Sequence, residues 1–150
     1  MILVGPSGVG KKTLIDLVLA EYGDIFERKK SVTTRPKRGE NEKAAENFTF
    51  VNEADFNKMV SEDAFVEYQE RSKNCWYGTS QKELDRIMAS GKIPIIEVDV
   101  EGAKKINDLG KFSSNFLFIY PPSFEELRKR IGNRIETEAE FKVRIKEAIR

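Results

Sequence analysis

The residues best suited to chemistry in this chain form a glycine-rich segment near its start. Residues 5–13 read Gly-Pro-Ser-Gly-Val-Gly-Lys-Lys-Thr and lie between an apolar run and a helical pattern. Glycines at this spacing let consecutive backbone N–H groups point inward and bind phosphate oxygens, beside the positive end of the helix that follows. Lys11 stands where a lysine reaches the outer phosphates of a nucleotide. The segment therefore predicts a phosphate-binding loop, with an ordinary strand-to-helix turn as the alternative.

The residue after Lys11 departs from the usual pattern of such a loop. A Ser or Thr normally follows the lysine, because its hydroxyl ligates Mg²⁺, and here that residue is Lys12. Thr13 has a hydroxyl one residue later, but successive side chains on a helix are rotated by about 100°, so it points to a different side. The sequence predicts the phosphate site and leaves open how a metal ion would be held.

Composition excludes several other kinds of site. The 150 residues include no histidine and one cysteine, Cys75, and carry a formal net charge of +1. Without histidine there is no imidazole for a catalytic triad, a metal site or acid–base chemistry. The balanced charge favours neither nucleic acid nor a membrane surface as a partner, so local clusters must recognise phosphate. The lone cysteine and the absence of an apolar run of about 20 residues predict a protein of the reducing cytoplasm.

Four strand-like runs and the helical patterns between them must position the loop. The runs occupy residues 2–4, about 29–32, 93–98 and 115–120. The third and fourth are dense in branched and aromatic residues, which is typical of parallel strands covered on both faces. Capping-box pairs, which begin helices, stand at Ser80 and Glu83, Ser123 and Glu126, and Thr137 and Glu140. This order predicts an α/β fold with a doubly wound parallel sheet.

The middle of the chain is too long for a simple crossover between core strands. Short strands are predicted at 48–51 and 65–69, around a helix near 55–60, with a turn at 76–78. We expect one domain, 1–150, with a core of 1–32 and 80–122, an inserted small lobe at about 33–79 and a helical lid at about 123–150. The apolar face of the last helix has no capping glycine after it, so we expect a segment to be missing at the C-terminus.

Three further motifs follow the phosphate loop in order. They are Ser-Val-Thr-Thr-Arg-Pro-Lys-Arg-Gly-Glu at 31–40, Glu67 with Tyr-Gly-Thr at 77–79, and Glu-Val-Asp-Val-Glu-Gly at 97–102. Together with the loop they resemble the guanylate kinase family, P-loop nucleoside monophosphate kinases that transfer the γ-phosphoryl group of ATP to GMP. The resemblance implies a P-loop NTPase fold with a GMP-binding lobe and a lid, and Mg²⁺ bound together with ATP.

The resemblance implies a role for each matching residue. The implied ATP site comprises Gly5, Pro6, Ser7, Gly8, Val9, Gly10, Lys11, Lys12, Thr13, Arg130 and Arg134. The implied GMP site comprises Ser31, Arg35, Arg38, Phe48, Glu67, Tyr77, Thr79, Glu97, Asp99 and Arg144. The implied catalytic residues are Lys11, Arg35, Arg38, Arg134 and Arg144, and Asp99 is the candidate for the Mg²⁺–phosphate region. ATP and GMP are the implied partners.

The residue types suit these roles, and each has a simpler alternative. Arg35 and Arg38 offer planar forks for bidentate phosphate binding, or they are surface charges on a polar loop. A carboxylate at Glu67 accepts from both N1–H and the exocyclic amine of guanine, or it lies on the exposed face of an edge strand. Arg130 reaches the transferred phosphoryl group, or it belongs to a solvated helix face.

Departures from the family pattern leave two further alternatives open. Phe48 stands where the family has a tyrosine that hydrogen-bonds the acceptor phosphate, and residues 41–46 are rewritten. Lys12 has three interpretations. It is a solvated helix residue, and water and Asp99 hold the Mg²⁺; or it weakens the metal site; or its ammonium partly replaces the charge of the metal. The alternatives to a guanylate kinase are a catalytically weak or inactive module of the same fold that binds a protein, and a kinase for another monophosphate.

Overall fold

A computed structural model of the chain describes residues 1–37, 39, 45–72, 74–133, 137–138, 141–142 and 145–146. The strands, in chain order, are β1 (Ile2–Val4), β2 (Phe26–Arg28), β3 (Ser31–Thr33), β4 (Phe48–Phe50), β5 (Phe65–Ser72), β6 (Cys75–Ser80), β7 (Ile93–Val98) and β8 (Phe116–Phe118). The helices are α1 (Lys11–Tyr22), α2 (Glu53–Ser61), α3 (Gln81–Ala89), α4 (Val100–Leu109) and α5 (Phe124–Gly132). None of the helices in these ranges is long and apolar enough to cross a membrane.

The first sheet is parallel, has the order β2-β7-β1-β8, and is covered by helices on both faces. On one face, Ile2 and Val98 pack with Leu84 of α3 and Ile106 of α4. On the other, Leu3 and Ile95 pack with Ile15 of α1. Successive residues of a strand point to opposite faces, so these short apolar strands supply both layers of the core. The predicted α/β architecture with a parallel sheet is confirmed.

The second sheet has the order β4-β3-β6-β5 and mixes parallel and antiparallel pairs. Helix α2 covers one of its faces, where Phe56 stacks on Phe65 with ring centroids 4.6 Å apart. Gly78 of β6 crosses directly under this aromatic cluster. A Cβ at Gly78 would lie 2.6 Å from two carbons of the Phe65 ring, so only glycine fits there without displacing the ring.

Side-chain caps begin the helices where the sequence pattern predicts them. Ser80 accepts a hydrogen bond from the backbone N–H of Glu83, and Ser123 accepts one from that of Glu126. Each satisfies an N–H that has no partner within its own helix. The third predicted pair falls partly outside the described residues, since Glu140 is among those not described.

Two predicted elements are wrong. The strand expected at 29–32 is two short strands in different sheets: the backbone N–H of Lys29 still bonds Ile95 of β7, whereas Ser31 already pairs with Phe48 of β4. The local pattern cannot reveal this change of partner, because both partners are distant in sequence. The turn expected at 76–78 is part of β6, and the chain reverses near Asn74, where φ is +61°. The glycine that suggested a turn is instead required by the Phe65 ring.

Strand β8 also differs from expectation. The sequence predicts a strand covered on both faces, but all three β8 residues are exposed, with Leu117 at 48%. The strand is the last in the sheet order, next to β1. Its apolar composition therefore does not reflect burial among the described residues.

Candidate functional site

The phosphate loop links β1 to α1 and has the backbone shape that its glycines permit. Gly5, Gly8 and Gly10 have φ values of +154°, +82° and +111°, a region that side chains other than glycine rarely adopt. Gly5 also passes close to the strand beside it, since a Cβ there would lie 2.7 Å from the carbonyl oxygen of Ile119. Gly10 caps α1 without a side chain, so the first N–H groups of that helix face the loop.

Lys11 lies inside this loop. Its side chain is largely buried, and its ammonium donates to the carbonyl oxygens of Gly5 at 2.6 Å and Pro6 at 3.0 Å. Burial lowers the pKa of Lys11, the carboxylates of Glu97 and Asp99 partly offset that shift, and Arg71 adds to it. The ammonium is thus a positive charge at the phosphate loop, under the influence of the Glu97 and Asp99 carboxylates.

Lys12 turns away from the loop. Its ammonium bonds Asp16, one turn further along α1, at 2.7 Å, and its side chain is 59% exposed. Asp16 accepts a second bond from Arg28, whose other nitrogen bonds Glu97 at 2.9 Å. The guanidinium of Arg28 therefore joins α1 to the end of β7.

Asp99 follows β7 and begins α4. One carboxylate oxygen accepts from the backbone N–H of Gly102 at 2.9 Å, and the other accepts from the side-chain amide of Gln69 at 2.9 Å. Because Gln69 lies on β5, this contact ties the second sheet to the carboxyl end of the core sheet. The Asp99 carboxylate therefore caps α4, and both of its oxygens keep further lone pairs that can bind a ligand.

Glu67 is buried on the second sheet and is paired with Thr79. It is 6% exposed and accepts a hydrogen bond of 2.5 Å from the hydroxyl of Thr79, which is fully buried and directly opposite it on β6. Burial rules out the alternative that Glu67 lies on the exposed face of an edge strand.

Ser31 opens β3 and contacts a buried lysine. The ammonium of Lys29 donates to the Ser31 hydroxyl oxygen at 2.6 Å. Burial lowers the pKa of Lys29 to about 8, although the Glu67 and Glu97 carboxylates oppose the shift. A cation is thus held at the point where the chain passes from one sheet to the other.

Arg35 stacks on aromatic rings. Its guanidinium carbon lies 5.1 Å from the ring centre of Phe48 and 5.2 Å from that of Phe50. Phe48 in turn meets Tyr77 edge-on at 6.2 Å. Cation–π contacts of this kind fix the position of a guanidinium, and Arg35 also donates to the carbonyl oxygen of Pro36 at 2.8 Å.

Of the five predicted lid and loop arginines, the structure describes two, Arg35 and Arg130. Arg130 of α5 donates to the carbonyl oxygen of Val9 in the phosphate loop at 3.1 Å and pairs with Glu126 at 2.8 Å. It therefore contacts the phosphate loop rather than a solvated helix face alone. Arg38, Arg134 and Arg144 lie outside the described residues.

Four residues near the candidate site were not predicted from the sequence: Arg28, Lys29, Gln69 and Arg71. A signal for the first two was present, since paired cations at the carboxyl end of a core strand stand where doubly wound sheets bind ligands. Gln69 and Arg71 alternate with Glu67 on one strand and carry no signal of their own. The hydrogen bonds of Arg28 and Gln69 join elements far apart in sequence, to Glu97 and Asp99.

Known proteins of a single family are similar to almost the whole chain. The sequence model of the guanylate kinase family matches residues 1–149. The guanylate kinase of Clostridium perfringens strain SM101 is 35% identical over 149 residues, 99% of this chain and 67% of that protein. That of Malacoplasma penetrans is 39% identical over 150 residues, 99% of this chain and 76% of that protein. The crystal structure of guanylate kinase from Anaplasma phagocytophilum is similar with a TM-score of 0.65 at 29% identity, covering 97% of this chain and 68% of that one.

Proposed function

The chain belongs to the guanylate kinase family, and from that membership and the contacts at the candidate site we propose that it transfers the γ-phosphoryl group of ATP to GMP, giving ADP and GDP. The observation that carries the proposal is the buried Glu67 carboxylate on the second sheet, tied by Gln69 and Asp99 to the sheet that bears the phosphate loop. A carboxylate that reads a base and a loop that binds phosphate are what a nucleotide-to-nucleotide transfer requires.

Glu67 supports guanine as the base of the acceptor. Guanine presents two adjacent donors, N1–H and the exocyclic amine, and an ionised carboxylate accepts both. Adenine presents an acceptor at the first of these positions, which would face a buried negative charge. Since Glu67 is 6% exposed, water cannot easily make up for the mismatch, so the site discriminates against adenine.

Arg35 and Lys11 support the handling of phosphate. The rings of Phe48 and Phe50 hold the Arg35 guanidinium, whose fork suits a bidentate contact with the acceptor phosphate. When ATP binds, the Lys11 ammonium exchanges its hydrogen bonds to two loop carbonyls for bonds to the outer phosphates of ATP. Phosphoryl transfer needs little covalent help from the protein, so these positive charges and the alignment they impose account for catalysis.

The residues present fit a magnesium ion that arrives with ATP. No group of three or more acidic or sulfur ligands lies close together in the described part of the chain, and the Lys12 ammonium cannot ligate a cation. Mg²⁺ commonly keeps several waters and uses one or two carboxylates with substrate phosphates, and Asp99 has lone pairs for that role. The ion would neutralise charge on the β- and γ-phosphates. The Lys12–Asp16 bond favours the first interpretation of Lys12, a solvated helix residue.

The test is ADP formation from ATP and Mg²⁺ with GMP, AMP, UMP and CMP in turn, for the wild type and Glu67→Gln. We expect the wild type to turn over GMP far faster than the other three, and we expect the substitution to reduce the ratio of kcat/KM for GMP over AMP by about 10–100-fold. A wild type that turns over none of the four contradicts the proposal and favours the protein-binding module. Equal turnover of the four, unchanged by Glu67→Gln, contradicts the assignment of the base site.

A further inference from the structure

We propose that Arg71 of β5 is a second phosphate-binding arginine of this site, and that it binds the phosphate of the acceptor nucleotide together with Arg35. The inference deepens the proposed function and rests on it only in taking the ligand to be a nucleoside monophosphate whose base lies at Glu67. In this account Arg71 touches the phosphate group itself, so it is a binding residue and does not act through a neighbour.

The first support is the face of the second sheet on which Arg71 lies. Residues directly opposite each other on neighbouring strands share a face, and β5 pairs Glu67 with Thr79 and Gln69 with Tyr77 of β6. Arg71 continues the alternation of Glu67 and Gln69 along β5, and its guanidinium carbon lies 5.5 Å from the ring centre of Tyr77. The aromatic cluster under α2 covers the other face of this sheet. Arg71 therefore shares the open face with Glu67.

This open face is directed toward the phosphate loop. The side-chain amide of Gln69, two residues before Arg71, donates to Asp99 at the carboxyl end of β7 at 2.9 Å. The positive charge of Arg71 lowers both the pKa of Lys11 in the loop and the pKa of Lys29 between the two sheets, so it lies close to both ammonium groups. Arg71 thus stands between the loop for the donor phosphates and the carboxylate for the acceptor base. The phosphate of the acceptor must lie between these two sites if it is to receive the γ-phosphoryl group.

An aromatic pair holds Arg71 and Arg35 beside each other. The Arg35 guanidinium stacks on Phe48 at 5.1 Å and that of Arg71 on Tyr77 at 5.5 Å. The two rings meet edge-on, with their centres 6.2 Å apart. A ring positions a guanidinium without neutralising its charge. Two planar forks on adjoining rings suit a single phosphate group, whose several oxygens can accept from both.

The charges around Arg71 leave it without an anionic partner among the described side chains. The charged groups that act on the two lysines are Glu67, Glu97, Asp99, Arg28 and Arg71. Donors already engage the three carboxylates, since Thr79 bonds Glu67, Arg28 bonds Glu97 and Gln69 bonds Asp99. Arg71 is exposed and forms no ion pair with any residue of the described ranges. A bound phosphate supplies the negative charge that this arginine lacks.

The experiment compares the binding of GMP with that of guanosine, the same nucleoside without its phosphate, by calorimetry in the absence of ATP. Arg71→Met removes the charge and keeps a long side chain, whereas Arg71→Lys keeps the charge and removes the fork. Lys105→Met is the matched control, because Lys105 is an exposed cation 5.6 Å from the ring centre of Tyr68, on the other face of β5.

We expect Arg71→Met to weaken the binding of GMP by about 10–100-fold and to leave the binding of guanosine unchanged. Arg71→Lys should recover part of that loss, and Lys105→Met should bind both compounds as the wild type does. Steady-state kinetics distinguish the two phosphate sites: KM for GMP should rise in Arg71→Met, and KM for ATP should not. A rise in KM for ATP alone would assign Arg71 to the donor and overturn the inference.

Two results of the binding experiment also overturn the inference. Equal losses for GMP and guanosine would show that Arg71 supports the fold of the lobe, and GMP binding that Arg71→Met leaves unchanged would show no contact with phosphate. Binding of GMP that depends on Arg71 in a protein without phosphoryl transfer contradicts the proposed reaction and supports the inference. A wild type that binds GMP no more tightly than guanosine has no acceptor phosphate site, and overturns the inference even if Glu67 selects guanine.

Discussion

Replacement of Lys12 by serine is the sharpest probe of how this site uses its metal. The substitution removes the bond of 2.7 Å to Asp16 and puts a hydroxyl where a phosphate loop normally has its Mg²⁺ ligand. The Lys12 side chain is 59% exposed, and an exposed pair of this spacing stabilises a helix by about 0.3–0.5 kcal/mol. Thermal stability should therefore change little, and any large effect must come from the site.

The expected effect is on the metal requirement. Supporting contacts to a metal typically change affinity or activity by about 10–100-fold, and a direct ligand should matter at least as much. We expect Lys12→Ser to lower the Mg²⁺ concentration that gives the half-maximal rate by that factor. Phosphoryl transfer is measured at fixed ATP and GMP over a series of Mg²⁺ concentrations.

Lys12→Ala is the matched control, because it removes the ammonium without adding a hydroxyl. If the Mg²⁺ dependence of both variants improves equally, the lysine charge and not the missing ligand is responsible. If both lose activity, the ammonium itself replaces part of the metal's charge, and the reasoning from the loop pattern is refuted.

Three more substitutions test contacts described above. Phe48→Leu removes one ring from Arg35 and should raise KM for GMP by about 2–30-fold with little change in kcat; a fall in kcat alone contradicts the stacking role. Gly78→Ala forces a Cβ to within 2.6 Å of the Phe65 ring and should lower Tm by about 3–10 °C. Gly132→Ala is the control and should leave Tm unchanged, because a Cβ there would lie 3.6 Å from the nearest atom, a carbon of the Phe141 ring. The pKa of Lys29 falls on folding from 10.5 to about 8, so the folded state binds fewer protons between those pH values, and stability rises with pH across that window. Lys29→Met should lack this rise in urea denaturation; an identical pH profile in both proteins contradicts it.

The parts of the fold that could be predicted are those governed by neighbours in sequence. The phosphate loop depends on glycines at fixed spacing, and the helix starts at Ser80 and Ser123 depend on a bond to a residue three positions later. The strand at 93–98 is rich in apolar residues because helices pack on both of its faces. Each of these signals lies within about ten residues.

The parts that could not be predicted depend on distant partners. Nothing near residues 29–32 shows that the chain leaves one sheet for another there. The Arg28 bridge spans 69 residues to Glu97, and the exposure of β8 depends on what packs on its faces, which its own composition does not show. At the site, the motifs that resemble the guanylate kinase family indicated Glu67 and Arg35 as candidates, whereas the contacts of Lys29 and Phe48 became evident only in the folded arrangement.

The central claim is that the γ-phosphoryl group of ATP passes to GMP on this chain, and product analysis with γ-labelled ATP tests it directly. We expect the label to appear in GDP in amounts equal to the ADP formed, and we expect Lys11→Met to abolish both products. Label recovered as free phosphate, or ADP formed equally without GMP, would show hydrolysis rather than transfer and would contradict the account.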